Sequence, residues 1–219
     1  MLNKEVRNFL CEVSAEADEK HGTYITGRPI VLNRETDLGW IRETIDSGAL
    51  DGTDLKDVRF LIGHDTSMIP LARSRNNNEN STMQLTVDAD GLSMRANLDT
   101  ENNPKAKELY SAVSRGDISG MSFMFTVDKD SWDDLDSDQP KRHITHIKKV
   151  FEVSAVAFPA YEDTSIEAAS EAEALESAKA SLESARKRLA EDRAAQAEAE
   201  RRTAVLERLS KLKEAKQNV

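Results

Sequence analysis

Three short segments of the sequence place a residue type used in acid–base or nucleophilic catalysis beside turn-forming or strand-forming neighbours. His64 ends one apolar run, Ser122 opens another after a glycine-flanked turn, and Glu152 lies inside a third. Taken singly, each has a simpler interpretation, as a structural histidine, a turn serine or an edge-strand charge. Spacing does not show that the three meet, because such groups are recognised by their geometry and not by their order.

The elements that must position these residues are mostly short strands. From Tyr24 to Pro159, runs of β-branched and aromatic residues alternate with turn signals. This pattern favours an antiparallel barrel or sandwich over a βαβ fold, in the mainly-β class with some helices. The predicted strands are Thr23–Ile25, Arg28–Leu32, Val58–Ile62, Met83–Val87, Leu92–Asn97, Ser122–Val127, His143–Val150 and Glu152–Phe158.

Three helices are predicted before residue 161, one of them ahead of the strand-rich segment and two within it. Residues 1–20 show apolar positions at helical spacing, and residues 40–47 carry apolar residues on one side before a glycine. Residues 104–115 have the strongest end signals, since Pro104 suits a first helical turn and Gly116 suits a C-terminal cap. Polar segments at 73–81 and 128–140 are predicted as exposed loops.

The composition changes near residue 161. All nine glycines, all five prolines and all eleven aromatic residues lie at or before Tyr161. The remainder is rich in Ala, Glu, Lys and Arg, with Leu175, Leu182 and Leu189 seven residues apart, as in a heptad seam. We therefore predict a domain at 1–161 and a helical, coiled-coil-like extension at 162–219, either a solvated helix or one that self-associates or binds a partner helix.

Bulk properties exclude several classes of protein. A net charge of −10 makes the chain a poor candidate for neutralising the phosphates of a nucleic acid. No run approaches the roughly 18 apolar residues that a membrane span needs, and no apolar signal segment follows Met1. The single cysteine, Cys11, fits a reducing compartment and an incidental thiol. His143 and His146 would face opposite sides of a strand, so we expect solvent exposure and no metal or cofactor.

Six motifs occur in order along the chain: Asp37-Leu38-Gly39, Glu43 through Ala49, His64-Asp65, Arg115 through Phe123, Glu152-Val153-Ser154 and Pro159-Ala160-Tyr161. Taken together, they resemble those of the prohead serine proteases of tailed bacteriophages, which are related to the herpesvirus assemblins. The resemblance covers roughly residues 22–165. Met124, Ala72 and Gly63 depart from the family's common residues, which affects the expected shape of the substrate subsites.

The resemblance implies a catalytic role for each of the three residues. Ser122 corresponds to the nucleophile, His64 to the general base and Glu152 to the residue that orients the histidine. Ser119 is an alternative nucleophile, and His143 or His146 an alternative to Glu152, because assemblins use a second histidine there. Asp65 is expected to shape the turn after His64, and Ser154 to pack within its strand.

The resemblance also implies a fold and a function. The fold would be an assemblin-like antiparallel β-barrel surrounded by helices. The function would be that of a serine endopeptidase which processes major capsid protein, scaffold segments and itself inside the immature prohead, in the host cytoplasm. The alternative is a non-catalytic capsid-assembly or scaffold protein that keeps a protease-like core.

Overall fold

The computed structural model describes the backbone of residues 4–10, 13–157 and 168–217, and the side chains of 4–7, 13–157 and 176–206. The chain divides into two compact units, residues 1–178 and 179–219. Cys11 and the predicted boundary between 161 and 162 lie outside the described residues, so that boundary stays a prediction.

Eleven strands, two α-helices and a short 3-10 helix at Arg75–Asn77 make up the described chain. The helices are α1 (Pro104–Arg115) and α2 (Ala168–Gln217). The strands are β1 (Glu5–Leu10), β2 (Val13–Asp18), β3 (Gly22–Val31), β4 (Thr36–Asp37), β5 (Arg42–Ile45), β6 (Arg59–Ile62), β7 (Ala72–Arg73), β8 (Met83–Asp88), β9 (Gly91–Asn97), β10 (Gly120–Asp133) and β11 (Lys141–Val156).

The strands form two sheets. One has seven strands in the order β1-β10-β11-β5-β4, with β6 pairing β11 and β7; the other has the antiparallel order β2-β3-β9-β8. The long hairpin of β10 and β11 is the centre of the larger sheet. β5 and β6 both pair with β11 in parallel, β5 near its start and β6 near its end. The end of β11 therefore lies between β10 and β6.

A single hydrophobic cluster contains residues from both sheets and from α1. Phe123 and Phe125 of β10 are completely buried in it, and their rings stack with centroids 4.6 Å apart. Each such aromatic side chain contributes roughly 1.5–3 kcal/mol through its removal from water. The core thus fixes one face of β10, which leaves alternate residues of that strand for the opposite face.

The mainly-β class with helices is confirmed, but the strands of the described residues form two sheets rather than a closed barrel. The helix predicted at residues 104–115 has those same bounds. Asn103 caps its start by accepting from the N–H groups of Lys105 and Ala106, and Gly116 ends it in the left-handed conformation. These end signals act locally, which is why the sequence sufficed to predict them.

The helix predicted over the first 20 residues is wrong. Residues 5–10 and 13–18 are strands, because β1 pairs with β10 and β2 pairs with β3. Along β1, Glu5 and Arg7 are both buried, and residues two apart share one face of a strand. The polar residues that would have been the solvent face of a helix are therefore interior groups.

The helix predicted at residues 40–47 is also wrong. Arg42–Ile45 is a strand, β5, which pairs in parallel with Lys141–Ile144 of β11. The predicted loop at 128–140 is shorter than expected, because β10 continues to Asp133 and β11 begins at Lys141. Pairing with a distant strand overrides the local pattern in β5, and the β10–β11 hairpin extends into the segment that is predicted as a loop.

The C-terminal helix is confirmed from Ala168 to Gln217. Its seam positions Leu182 and Leu189 lie within the described side chains, and Leu175 lies outside them. Farther along, Val205 and Leu206 are 57% and 67% exposed. Coiled-coil pairing through this helix stays a prediction.

Candidate active site

Four adjacent strands bring the sequence motifs together. In the strand register Ser122 of β10 is opposite Asn8 of β1 on one side and Ser154 of β11 on the other, and Ser154 is opposite Leu61 of β6. Residues directly opposite each other point to the same face of a sheet. Ser122 and Ser154 therefore share the face that is turned away from Phe123 and the hydrophobic cluster, and Glu152, two residues before Ser154, shares it too.

His64 follows β6 in a tight turn. Gly63 donates its N–H to the Ala155 carbonyl at 3.0 Å, which continues the pairing of β6 with β11 by one residue. Gly63 and His64 then both have positive φ, 56° and 59°. The left-handed conformation costs a non-glycine residue about 1 kcal/mol, so His64 is held there by its surroundings. The turn places its imidazole beside Glu152.

The imidazole and the carboxylate form a direct pair. His64 Nδ1 and Glu152 Oε1 are 2.6 Å apart, with the histidine side chain 22% exposed and the glutamate 3% exposed. A carboxylate partner makes Nδ1 the protonated nitrogen of the neutral ring, which leaves Nε2 as the basic one. This is the tautomer that a general base acting through Nε2 requires.

Ser154 completes the hydrogen bonding of this pair. Its hydroxyl accepts the backbone N–H of His64 at 3.1 Å and donates to Glu152 Oε2 at 2.6 Å. The serine is completely buried. Both oxygens of the carboxylate are thus engaged, one by the ring of His64 and the other by a serine that also holds the backbone of His64.

Ser122 has a different partner. Its hydroxyl donates to the backbone carbonyl of Arg7 in β1 at 2.9 Å, and its side chain is completely buried. The nucleophile candidate therefore lies on the same sheet face as the His64–Glu152 pair, while its proton is directed at the neighbouring edge strand. For Ser122 to lose its proton to the imidazole, its hydroxyl must stop donating to the Arg7 carbonyl and donate to a ring nitrogen of His64 instead.

β1 is fastened to the sheet by buried charges. Arg7 binds Glu43 through Nε–Oε1 and Nη2–Oε2 contacts and reaches Glu5 at 2.7 Å. Arg142 contacts the same two carboxylates at 2.7 and 3.0 Å. All four side chains are at most 5% exposed, and Asp130 binds Arg142 from the rim of the group, at 17% exposure. We call Glu5, Arg7, Glu43 and Arg142 the buried charge cluster.

The cluster keeps its charges because each is paired. Burial by itself would raise the pKa of Glu43, but Arg7 and Arg142 outweigh it and hold that pKa below its ordinary value. Burial would lower the pKa of Arg7, and the two carboxylates keep it above its ordinary value instead. The group therefore consists of two acidic and two guanidinium side chains, each in contact with members of the opposite type.

The remaining sequence candidates lie elsewhere. Ser119 is exposed in the turn before β10. Asp65 accepts from the N–H and hydroxyl of Ser67, which lowers its pKa and shapes the turn after His64, as expected. His143 pairs with Asp46 at 3.2 Å, and His146 pairs with Asp128 at 3.2 Å, so neither histidine takes the place of Glu152.

Neither metal binding nor a membrane span has support in the described residues. No group of three or more His, Cys, Asp and Glu side chains in the described part of the chain is arranged to hold an ion. Likewise, none of the described helices is long and apolar enough to cross a bilayer.

Sequence reasoning missed two parts of the site. The motif predicts only strand packing for Ser154, although its position two residues after Glu152 places both side chains on one strand face. The buried charge cluster is not predicted, because the apolar spacing of the first 20 residues indicates a helix. The available signal is that Glu5 and Arg7 are two residues apart and would share one face of a strand. This signal indicates a buried pair only when β10 is known to be the neighbouring strand.

The comparisons with known proteins agree with the motifs. The family profile described as caudovirus prohead serine protease matches residues 11–179. No curated protein and no solved structure matches the chain significantly. The match covers β2 to β11 and the start of α2, and so includes the histidine, serine and glutamate described above.

Proposed function

Because the chain belongs to the caudovirus prohead serine proteases, we propose that it is an endopeptidase which cleaves capsid-assembly proteins through an acyl-enzyme. Ser122 is the nucleophile, His64 the general base and Glu152 the group that orients the base. The family as a whole indicates capsid-protein substrates and a site of action inside the phage capsid, in the host cytoplasm. The observation that carries the proposal is the 2.6 Å contact between His64 Nδ1 and the buried Glu152 carboxylate.

In the proposed reaction His64 Nε2 takes the proton of the Ser122 hydroxyl as its oxygen attacks the scissile carbonyl carbon. Glu152 stabilises the imidazolium that forms, and the imidazolium then gives the proton to the leaving amine as the peptide C–N bond breaks. Water, deprotonated by the same imidazole, then attacks the ester carbonyl carbon. The imidazolium returns its proton to the Ser122 oxygen as the acyl C–O bond breaks and the carboxylic acid leaves, so the enzyme regains its starting state.

The resting structure sets a condition on this reaction. Ser122 is buried and its hydroxyl donates to Arg7 in β1. Attack on a substrate requires the hydroxyl to leave that carbonyl and turn towards His64, and the substrate must gain access to it. We therefore expect the surroundings of the Ser122 hydroxyl to rearrange during the catalytic cycle.

The test is to co-express the chain with its capsid protein and to weigh both proteins by mass spectrometry. Wild type should process the capsid protein and itself. Ser122→Ala should leave both intact, because the attacking oxygen is gone. Ser119→Ala is the matched control, three residues away and exposed, and should process as wild type does. If Ser122→Ala processes normally, the assignment is wrong; if wild type processes nothing, the non-catalytic assembly protein is favoured.

We further propose that the C-terminal helix brings the enzyme into the prohead by self-association or by binding a scaffold helix. The exposure of Val205 and Leu206 on α2 supports this, since an apolar pair on a charged helix favours contact with a partner. Deletion of residues 165–219 should spare cleavage of a peptide substrate and prevent incorporation into proheads. Full incorporation of the shortened chain would contradict the proposal.

A further inference from the structure

Ser154 has more contacts with the histidine–glutamate pair than strand packing requires. It is completely buried on the site face of β11 and bridges two groups of the proposed triad, the backbone N–H of His64 and the side chain of Glu152. A serine that only filled space there would leave its hydroxyl to the nearest strand carbonyl. This hydroxyl is instead shared between the two residues whose relative position matters for the chemistry.

We propose that Ser154 is a positioning residue, which sets the angle of the Glu152 carboxylate towards the His64 ring and fixes the turn that carries that ring. The inference rests on the proposed function for its catalytic consequence, but its geometric content stands on the hydrogen bonds alone.

The first contact of the Ser154 hydroxyl restrains the Glu152 carboxylate. Glu152 is a charged group at 3% exposure, so each oxygen needs a donor. The ring of His64 satisfies Oε1, and the hydroxyl of Ser154 satisfies Oε2 at 2.6 Å, a length typical of a hydrogen bond to an ionised acceptor. With two donors fixed on two oxygens, the plane of the carboxylate is determined. Without the second donor, it can rotate about its terminal bond.

The second contact of the Ser154 hydroxyl restrains the backbone of His64. His64 has a φ of 59°, which a residue with a β-carbon adopts only when its surroundings hold it there. The contact of its N–H with the Ser154 hydroxyl, at 3.1 Å, is one of the bonds that do so. The same hydroxyl thus restrains both partners of the imidazole–carboxylate bond, and its loss should loosen them together.

The chain offers a matched control in Ser74. This serine is also completely buried, and its hydroxyl likewise accepts a backbone N–H, from Val58 at 2.9 Å, and donates onward, to the Leu55 carbonyl at 3.3 Å. Removal of either hydroxyl creates the same small defect in the interior. Only the hydroxyl of Ser154 contacts an ionised group of the site, so a difference between the two alanine variants reports on positioning and not on general stability.

The experiment uses the full chain with histidines labelled in ¹⁵N and with Ser122→Ala added, so that no self-cleavage can occur. The far-downfield proton of the His64 Nδ1–H, assigned by its loss in His64→Gln, reports on the bond to Glu152. Ser154→Ala should shift it upfield and broaden it, while Ser74→Ala should leave it unchanged. Ser154→Thr, which keeps the hydroxyl, should retain the far-downfield resonance of the His64 Nδ1–H proton. An unchanged resonance in Ser154→Ala would overturn the proposal.

The catalytic consequence is measured with Ser122 restored. Ser154→Ala should lower kcat by about tenfold to a hundredfold with little change in KM, in the range expected for a lost hydrogen bond to a charged group. Ser74→Ala should change neither. Equal losses in both variants would contradict a positioning role; inactivity of wild type would instead count against the proposed function and leave the resonance test intact.

Discussion

Neutralising one member of the buried charge cluster should destabilise the fold strongly, and Arg142→Met is the sharpest such change. Arg142 is 1% exposed and contacts Glu5 and Glu43, both of which are also buried. Methionine fills a similar volume without the charge. The variant would retain two buried carboxylates with Arg7 as their remaining interior cation, so one buried negative charge would have no compensating partner.

The magnitude follows from the burial of the cluster. Removing one partner of a buried ion pair costs roughly 3–5 kcal/mol, because the charge left behind stays out of water. A second change, Glu5→Gln, returns the interior to one carboxylate and one guanidinium. The double variant Glu5→Gln/Arg142→Met should therefore recover at least about 1–2 kcal/mol of what the single variant loses. A gain of stability on adding a second substitution is a specific sign of charge imbalance.

Urea unfolding at pH 7, followed by circular dichroism, measures the differences in free energy of unfolding. They are obtained from the shift of the urea midpoint when the dependence of free energy on urea concentration is unchanged. The control is Arg28→Met, which removes a guanidinium that also binds a carboxylate, Asp88, through two hydrogen bonds, but at 30% and 39% exposure. A surface pair of this kind contributes about 0–1 kcal/mol. If Arg142→Met costs no more than Arg28→Met, or if Glu5→Gln worsens it, our account of the cluster is wrong.

Three further predictions test other parts of the structure. The pKa of Glu43 is lowered in the fold, so its contribution to stability is complete above an ordinary glutamate pKa of about 4.5 and is lost as pH falls below that value. Urea midpoints measured from pH 7 to pH 3 should show this loss. In Glu43→Gln the urea midpoint should change less with pH. Gly91→Ala should lower the thermal midpoint far more than Gly52→Ala does. A β-carbon at Gly91 would lie 1.9 Å from the Ile30 carbonyl oxygen, whereas a β-carbon at Gly52 would have open space. Equal midpoints in the two variants would contradict the predicted clash. Asn103→Ala should cost about 1 kcal/mol in urea unfolding, since its side chain caps α1, and a neutral result would show the cap to be without effect.

The contrast between α1 and β1 shows what could be predicted from sequence. The bounds of α1 follow from a proline, a capping asparagine and a glycine, all within or beside the helix. The first strand has no such signals, and its apolar residues follow the spacing of a helix. What decides its conformation is pairing with β10, more than a hundred residues away, which no local pattern contains.

The site was predictable to a similar extent. His64, Ser122 and Glu152 were named from motifs, and the structure brings His64 and Glu152 into direct contact, while their catalytic roles stay a proposal. The hydroxyl of Ser122 was expected beside an imidazole and lies instead against Arg7. That contact depends on which strand occupies the edge of β10, a property of the sheet and not of the motif.

The fastening of β1 also bears on how the chain folds. The contact between Arg142 and Glu5 joins residues 137 positions apart, and the contact between Ser122 and Arg7 joins residues 115 apart. Pairing over such distances must overcome a large loop-closure entropy before it gains any energy, so a topology of this contact order is expected to fold in milliseconds to seconds rather than microseconds. The buried charge cluster can therefore form only when the segment around Glu5 and the segment around Arg142 have come together.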